Sequence, residues 1–385
     1  MTRFADRTGP IRLGMVGGGQ GAMIGAVHRM AARLDGQFRL VAGALSSTEE
    51  KARASAEAVG LAADRTYSDY VEMARREARL KDGIEAVAVV VPNHMHLPVA
   101  REFLKRGVHV ICDKPLTGTL ADAKKMQRAA EASDALFILT HNYTGYPLVR
   151  EAQARIARGD LGELRLVQVE YAQDWLAEEP ADDNKQAAWR TDPARSGAGG
   201  ATGDIGTHAW NLMRFVTGLV PEALAADLQS FVPGRALDDN AHVMLRFAGG
   251  ARGMLWCSQV AAGEENNLSL RVYGTKAGIE WRQENPNQLF VTPLGGTTEI
   301  VTRASAATTE GSRRLTRIPP GHPEGFLEAF ANIYGEAAQA ITAARTGAPL
   351  PDGVTYPSIA DGVEGVAFVD ACVRSSKRNA AWVTL

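Results

Sequence analysis

An acid and an imidazole stand four residues apart behind a glycine-rich run. The segment 199–211 reads GGATGDIGTHAWN and contains Asp204 and His208. On a helix over 204–217 these two side chains share one face. A neutral imidazole can exchange a proton near neutral pH, and a neighbouring carboxylate can orient it and support its charge. The alternative is that Asp204 only caps the helix and that His208 is a partly buried structural residue.

The remainder of this segment has the spacing of a buried helix face. Apolar residues recur at helical intervals away from Asp204 and His208, and we expect them to be buried. These residues are Ile205, Ala209, Leu212 and Val216. Gly218 is expected to end the helix.

A lysine stands at the end of a predicted strand further upstream. In VICDKPLTG (110–118), Asp113 and Lys114 follow an apolar run, and Pro115 restricts the backbone next to Lys114. A lysine ammonium in such a place can stabilise negative charge that develops on an oxygen. The alternative is an ordinary solvated charge at a strand edge.

The first predicted strand leads into a glycine-rich turn and a helix. In IRLGMVGGGQGAMIGAVHR (11–29), the spacing Gly-x-Gly-x-x-Ala fits the dinucleotide fingerprint, and Gly25 follows three residues later. Such a turn lets the backbone approach a pyrophosphate at a helix N-terminus. The wide spacing to Gly25 predicts an enlarged turn. The cofactor contacts expected here are Gly17, Gly19, Gln20, Ala22, Met23 and Ile24.

The end of the second strand lacks the carboxylate that binds a ribose 2′-hydroxyl in this kind of site. In AGALSSTEEK (42–51), Ser46 and Ser47 take that place, and Lys51 follows. Hydroxyls and a lysine could bind a 2′-phosphate, so NAD and NADP both stay open. Equally, Ser46 or Ser47 could cap the next helix while Lys51 is solvated.

Another strand end carries polar side chains. In VVVPNHMH (89–96), Pro92, Asn93 and His96 are expected to contact a cofactor, because open α/β sheets bind ligands at the carboxyl ends of their strands. The pair His94 and His96 makes a poor metal site without a nearby carboxylate or cysteine, so no metal is expected.

A sheet whose strands all end at the same edge would bring these residues close together. In the first 140 residues, short β-branched runs alternate with segments of helical spacing, which predicts a parallel sheet covered on both faces. The predicted strands are Arg12–Val16, Phe38–Ala44, Glu85–Val91, Val108–Cys112 and Leu136–Thr140. The predicted helices span about 25–34, 48–59, 69–79, 95–106 and 119–132.

From about residue 160 the strands follow one another without long helices between them, which predicts an antiparallel sheet. They are expected at 164–171, 241–247, 252–260, 268–274 and 278–283, and the turn AGGA (248–251) joins two of them as a hairpin. Segments 184–202 and 295–322 are predicted as long loops, and helices are expected near 324–343 and 358–374. We therefore divide the chain into a domain at 1–141 and a domain at 142–385.

Composition restricts the partners. The chain has 385 residues, is 45% hydrophobic and carries a formal net charge of −2 without a polybasic run, so neither nucleic acid nor a membrane is an expected partner. The longest apolar run, near Ala86–Val91, is too short to cross a bilayer. Three scattered cysteines and a first segment without an apolar core favour a reducing, cytoplasmic location.

Four motifs in this order resemble the Gfo/Idh/MocA family of NAD(P)-dependent oxidoreductases. They are GMVGGGQGAMIG, PNHMH, CDKP and GATGDIGTH, and the resemblance covers nearly the whole chain. The family's usual EKP stands here as DKP, which keeps the lysine. The resemblance implies a Rossmann domain followed by an α/β domain on a large, mostly antiparallel open sheet. It also implies a homodimer or homotetramer that associates through the open face of that sheet.

The resemblance also implies roles for individual residues. Lys114 matches the family's catalytic lysine, and Asp204 and His208 match the acid and histidine of its DxxxH element. Asn142, in HNYTGYP, matches a segment on the nicotinamide and substrate side. We assign His208 as the general acid/base and Lys114 as its electrostatic partner, and the reverse assignment stays open. Asp113, beside Lys114, is also expected at the cofactor.

Substrate contacts are expected from aromatic and polar residues near these elements, because sugar sites pair flat aromatic rings with charged hydrogen-bonding groups. A purely structural contact is the equal alternative for each. The candidates are Tyr143, Tyr146, Tyr171, Gln173, Trp189, Arg190, Asp192 and His322.

The residues and the family that the sequence resembles leave three functions to consider, and the resemblance implies the substrate class of the first two. The first is an NAD(P)-dependent dehydrogenase that moves a hydride between nicotinamide and a secondary alcohol or ketone of a sugar, cyclitol or related polyol. The second is an NAD-dependent glycoside-cleaving enzyme that acts by transient oxidation, elimination and re-reduction. The third, a nucleotide sensor without catalysis, has no use for a proton-transfer group, so Lys114, Asp204 and His208 argue against it.

Overall fold

The computed structural model describes residues 9–179 and 185–385, which form two compact units that interleave along the chain. The first unit contains residues up to 117, together with 121–142 and 327–363, and the second contains 118–120, 143–326 and 364–385. The first eight residues, on which the expectation about a signal peptide rests, and residue 184 of a predicted loop lie outside the described residues.

The first unit is built on a five-stranded parallel sheet with the strand order β2-β1-β3-β4-β5. Its strands are β1 (Ile11–Gly17), β2 (Phe38–Ala44), β3 (Ala86–Val90), β4 (His109–Cys112) and β5 (Phe137–Leu139). Its first helices are α1 (Met23–Leu34), α2 (Glu49–Ala58), α3 (Tyr70–Glu77), α4 (His96–Leu104) and α5 (Leu120–Glu131). The alternation of strands and helices predicted for this half is confirmed.

Strand β3 shows why this sequence forms a covered parallel sheet. All five of its residues are buried, as expected for an unbroken apolar run with helices on both faces of the sheet. None of the helices within residues 9–179 and 185–385 combines the length and apolar character needed to cross a membrane.

The second unit is built on a nine-stranded sheet with the order β13-β12-β11-β10-β6-β9-β8-β7-β14. Its strands are β6 (Leu164–Ala172), β7 (Pro221–Gln229), β8 (Asn240–Phe247), β9 (Arg252–Ser258), β10 (Asn267–Gly274), β11 (Ala277–Arg282), β12 (Gln288–Pro293), β13 (Glu299–Thr302) and β14 (Val383–Thr384). Its helices are α6 (Pro147–Ala157), α7 (Lys185–Arg190), α8 (Pro193–Ser196), α9 (Thr207–Thr217) and α10 (Glu310–Arg313). Neighbouring described strands run antiparallel except β6 and β9, which are parallel, so the predicted mostly antiparallel sheet is confirmed.

Several local predictions in this half are wrong. The predicted loops contain α7 and α8 in one case and β13 and α10 in the other. These elements have only four to six residues, too few to show a period. Strand β7 was not predicted, because PEALAADLQ is rich in residues that favour helices. Helix α6 was also missed, although Pro147 in its first turn is a usual helix-start signal.

Two long helices follow, α11 (Phe326–Thr346) and α12 (Ile359–Ser376), close to their predicted positions. Most of α11 belongs to the first unit. There the Tyr334 hydroxyl lies 2.8 Å from His28 Nδ1 of α1, and Arg345 donates to the buried carboxylate of Glu85 at 2.7 Å. The predicted domains instead follow one another at residue 141, and that boundary stays a prediction.

Candidate active site

The glycine-rich run enters helical backbone earlier than predicted. Residues Thr202–Gly206 form one π turn, and α9 continues directly from it. Asp204 therefore lies inside helical backbone and does not cap the helix, which contradicts the capping part of that alternative. The role of His208 stays a prediction. Gly218 ends α9 with a left-handed φ of 64°, as expected. The four apolar residues expected on the far side are buried: Ile205, Ala209, Leu212 and Val216.

A buried carboxylate that the sequence analysis missed holds the start of this π turn. Asp238 Oδ1 accepts from the Gly200 amide at 2.7 Å, and Oδ2 accepts from the Thr202 amide and hydroxyl at 2.8 and 2.7 Å. A Cβ at Gly200 would stand 2.0 Å from the Asp238 carbonyl oxygen, so this position requires glycine. Burial raises the pKa of Asp238, although these hydrogen bonds oppose the rise.

Two donors fix the Asp204 carboxylate. Arg190 Nε donates to Asp204 Oδ2 at 3.1 Å, and Gln259 Nε2 donates to the same oxygen at 3.0 Å. The Arg190 guanidinium also lies over the Trp189 ring, 4.3 Å from its centroid. The structure thus brings Asp204, Arg190 and Trp189 together and adds Gln259. A substrate contact for Arg190 and Trp189 stays a prediction.

His208 is buried beside two phenols. The Tyr143 ring meets the imidazole edge-on with the centroids 4.8 Å apart, and the hydroxyls of Tyr143 and Tyr171 are 2.5 Å apart. Burial raises the pKa of Tyr143 and raises that of Tyr171 well above its usual value. Both phenols therefore stay protonated near neutral pH, and a proton-accepting role for His208 stays a prediction.

A hydrogen-bonded network continues from Tyr171 through side-chain amides. The Tyr171 hydroxyl and Gln173 Nε2 both donate to Asn266 Oδ1, at 2.8 and 2.7 Å. Asn266 Nδ2 donates to Gln283 Oε1 at 3.0 Å, and Gln283 Nε2 donates to the Tyr146 hydroxyl at 3.3 Å. Four predicted substrate residues therefore meet here, joined by two amides that the sequence analysis missed. We call Tyr143, Tyr146, Tyr171, Gln173, Asn266 and Gln283 the amide–phenol network.

The two remaining substrate candidates have structural contacts. The Asp192 carboxylate accepts from the Ala194 amide at 2.9 Å and so caps α8. His322 is exposed in the loop before α11, and its carbonyl oxygen accepts from the buried Arg303 guanidinium. Their roles at a substrate stay predictions.

The glycine-rich turn of the first unit has the shape of a pyrophosphate cradle. Gly17 and Gly18 have φ values of 79° and 69°, and a Cβ at Gly17 would lie 2.1 Å from the Val90 carbonyl oxygen. A Cβ at Gly25 would lie 2.4 Å from Gly18, so Gly25 provides the close packing of helix on turn. Helix α1 starts at Met23 without a side-chain cap, and its first amides suit an anion.

At the expected ribose position, the structure contradicts a capping role for Ser46 or Ser47. Thr48 is the residue before α2, and it makes no side-chain cap. Ser47 and Lys51 are exposed, and Ser46 is half-buried. All three stay candidates for contacts with the cofactor ribose.

The ends of β3 and β4 are joined by His96. Its Nδ1 lies 2.8 Å from the Pro115 carbonyl oxygen, and its Nε2 lies 2.8 Å from that of Val91. Burial lowers the pKa of His96. The structure thus gives both His96 ring nitrogens backbone partners, and the role of His96 at the cofactor stays a prediction. Within the described residues there is no group of three or more histidine, cysteine or acidic side chains that could hold a metal ion.

Asp113 is held in the first unit beside Lys114. Its Oδ1 accepts from Thr140 Oγ1 at 3.1 Å and lies 3.7 Å from His28 Nε2. Burial opposes ionisation of this carboxyl, but the His28 ring and the Lys114 charge outweigh it and hold the pKa at about 2. Asn142 is buried, and its Nδ2 has no hydrogen-bond partner within the described part of the chain, which fits a contact with a ligand. The roles assigned to Pro92, Asn93, Lys114 and Asn142 stay predictions.

Comparison with known proteins gives matches over both halves. Residues 11–141 match the family described as an oxidoreductase family with an NAD-binding Rossmann fold, GFO_IDH_MocA, and residues 149–280 match its C-terminal domain. An oxidoreductase from Sinorhizobium meliloti has a crystal structure with 60% identity and a TM-score of 0.90, covering 98% of this chain and 100% of that one.

Two further relatives carry names that state an activity. The crystal structure of an inositol dehydrogenase homolog from Azotobacter vinelandii, complexed with NAD⁺, is similar with 38% identity and a TM-score of 0.96 over 100% of this chain and 99% of that one. The same homolog is also known in complex with NADH and myo-inositol. Levoglucosan dehydrogenase from Pseudarthrobacter phenanthrenivorans is 28% identical over 97% of each chain.

Proposed function

Because the chain belongs to the Gfo/Idh/MocA family of oxidoreductases with an NAD-binding Rossmann fold, we propose that it is an NAD(P)-dependent dehydrogenase of a sugar, cyclitol or related polyol. The observation that carries this proposal is the buried His208 beside the amide–phenol network. Amides both donate and accept hydrogen bonds, so the network suits a ligand rich in hydroxyls. The relatives whose names state inositol or levoglucosan support the same class.

Each of the candidate catalytic residues has a separate role in alcohol oxidation. When bound, nicotinamide accepts or supplies the hydride at C4. His208 takes the proton from the substrate hydroxyl, and Asp204 supports the positive charge that the imidazole then carries. Arg190 and Gln259 keep the Asp204 carboxylate in one orientation. The Lys114 ammonium stabilises the oxygen as it becomes an alkoxide.

The first unit supports binding of the dinucleotide. The Gly17–Gly19 turn leaves no room for a Cβ at its first or third position, and the uncapped start of α1 presents free amides to the pyrophosphate. Ser46, Ser47 and Lys51 offer hydroxyls and a positive charge at the ribose, so NADP is accepted beside NAD.

We further propose that two or more copies associate through the open sheet of the second unit. Exposed apolar side chains meet across neighbouring strands there, with Met244 of β8 opposite Met254 of β9 and Leu166 of β6 opposite Tyr273 of β10. Met244→Lys should shift the mass measured by light scattering towards the monomer. The three buried free cysteines agree with a reducing compartment such as the cytoplasm.

The direct test is a panel of sugars, inositols and glycosides offered with NAD or NADP, followed through the absorbance of reduced cofactor and release of aglycone. We expect net reduced cofactor from at least one polyol. Lys114→Met should lower that turnover about 10²–10³-fold, as when one preorganised electrostatic contact is lost. Lys124→Met, an exposed lysine on α5, serves as the matched control and should leave turnover unchanged.

Two results would contradict this proposal. If no member of the panel yields reduced cofactor with either nucleotide, the dehydrogenase assignment is wrong. If aglycone is released from a glycoside without net reduced cofactor, the redox-neutral cleaving reaction is the correct one.

A further inference from the structure

A cavity of about 860 Å³ in the second unit adjoins the amide–phenol network. Its walls come from the segments 263–266, 283–287 and 323–326, with Tyr146 beside them. Tyr146, Asn266 and Gln283 belong both to the cavity wall and to the network. The cavity volume lies in the upper part of the range of small-molecule sites, roughly 300–1,000 Å³.

Packed aromatic rings connect the wall of this cavity to His208. The Tyr146 ring is stacked on Tyr143 with an interplanar angle of 5°, and the Phe326 ring lies 6.4 Å from Tyr143. Tyr143 in turn contacts the His208 imidazole. The Tyr143 ring therefore lies between the His208 imidazole and the cavity-lining rings of Tyr146 and Phe326. Such aromatic faces pack well against the C–H faces of sugar rings.

The polar groups of the wall select the chemistry of a ligand. Side-chain amides of Asn266, Gln283 and Asn285 can donate and accept, and the exposed carboxylates of Glu265 and Glu284 accept only. Among the described residues that line the cavity, no lysine, arginine or histidine is present. The buried carboxylate of Glu324, which pairs with Arg303, also lines the cavity. Hydroxyl groups satisfy such a wall, whereas a phosphate would meet these carboxylates without a basic partner on the wall.

We propose that this cavity is a second subsite that binds an uncharged, hydroxyl-rich group attached to the reacting ring. The substrate is then an oligosaccharide or a glycoside with a polar aglycone, rather than a free or phosphorylated monosaccharide. This inference rests on the proposed function, since the first ring must lie at His208.

The test compares three probes that share one reacting ring: the free sugar, a disaccharide that carries this ring, and its phosphate ester. For the wild type we expect kcat/KM to be about tenfold or more higher for the disaccharide than for the free sugar, the effect of one or two added hydrogen bonds. The phosphate ester should be the poorest of the three.

Two variants connect this preference to the cavity. Asn285→Ala should reduce the disaccharide-to-sugar ratio of kcat/KM about fivefold, because it removes one amide from the wall. Glu265→Lys should raise kcat/KM for the phosphate ester about fivefold, since a repulsive charge becomes attractive. The matched control Glu222→Lys changes an exposed carboxylate on β7, outside the cavity, and should leave all three probes unchanged.

The failure of this inference and that of the proposed function can be told apart. If the three probes react equally well and neither variant changes their ratios, the second subsite is wrong while the dehydrogenase assignment stands. If none of the probes is oxidised, the assignment itself fails. Calorimetric binding of the disaccharide and the free sugar to the wild type and Asn285→Ala still decides the subsite in that case, because equal affinities would overturn it.

Discussion

Replacing Asp238 by alanine removes the carboxylate that holds the backbone in front of Asp204 and His208. Three donors then lose their acceptor, namely the Gly200 amide and the amide and hydroxyl of Thr202. An unsatisfied buried donor costs about 1–3 kcal/mol, and loss of a helix cap about 0.5–2 kcal/mol. Removal of a buried carboxylate with a raised pKa offsets part of this loss. We therefore expect the free energy of unfolding to fall by about 3 kcal/mol at pH 7.

Urea unfolding followed by tryptophan fluorescence measures this loss, because Trp210 is buried in α9. Asp238→Asn keeps one acceptor oxygen and should lose about half as much. Asp227→Ala, an exposed carboxylate on β7, is the matched control and should change the free energy by less than about 0.5 kcal/mol.

Activity at a temperature where Asp238→Ala stays folded separates a positioning role from a purely stabilising one. We expect kcat to fall about tenfold or more while the Kd for cofactor is unchanged, because the π turn carries Asp204 and precedes His208. Asp238→Asn should recover most of kcat. A loss of less than about 1 kcal/mol in Asp238→Ala, or a normal kcat in the folded variant, would refute the anchoring role.

Three further outcomes are expected. His208→Asn should lower kcat by about 10²–10⁴-fold and leave cofactor affinity unchanged. It should also abolish the ascending limb of the pH profile of oxidation. A retained limb would show that another group accepts the proton. Ser46→Asp should weaken NADP relative to NAD in kcat/KM, and equal use of NADP would show that this turn does not face the ribose. The pKa of Asp113 is lowered from 3.8 to about 2 on folding, so its contribution of about 2 kcal/mol is present above about pH 4 and is lost as the pH falls towards 2. Asp113→Asn should therefore show less loss of stability than the wild type between pH 4 and pH 2 in urea titrations.

The parallel sheet of the first unit and the helices between its strands could be predicted from the sequence because their signals are local, whereas the addition of residues 327–363 to this unit could not. Each strand is a short apolar run, and each helix shows apolar residues at helical intervals. The turn at Gly17 is recognised by the spacing of its glycines. The second unit depends on contacts between distant residues. Strand β7 has a helix-favouring composition, and only its pairing with β8 makes it a strand.

In the candidate site, too, residues with a local sequence signal could be predicted, and residues that arrive from distant segments could not. Asp204 and His208 could be identified because they stand four residues apart in one motif. Gln259 reaches Asp204 from the end of β9, and Asn266 meets Tyr171 from the start of β10. Such partners carry no local signal, since an amide at a strand end looks like any loop residue. Asp238 had a weak signal, an acidic pair before β8, that could equally indicate a turn.

The return of α11 to the first unit has a consequence for the order of synthesis. About two hundred residues separate the end of β5 from the end of α11, which takes a ribosome about 10–40 s to add. Until then Glu85 lacks its hydrogen bond from Arg345, and Phe38 and His28 lack their contacts with Tyr334. The nascent cofactor-binding half therefore has an uncovered apolar surface while residues 143–326 of the second unit are translated. A chaperone that shields the α1 and β2 side during this interval would have its greatest effect on the yield of this protein.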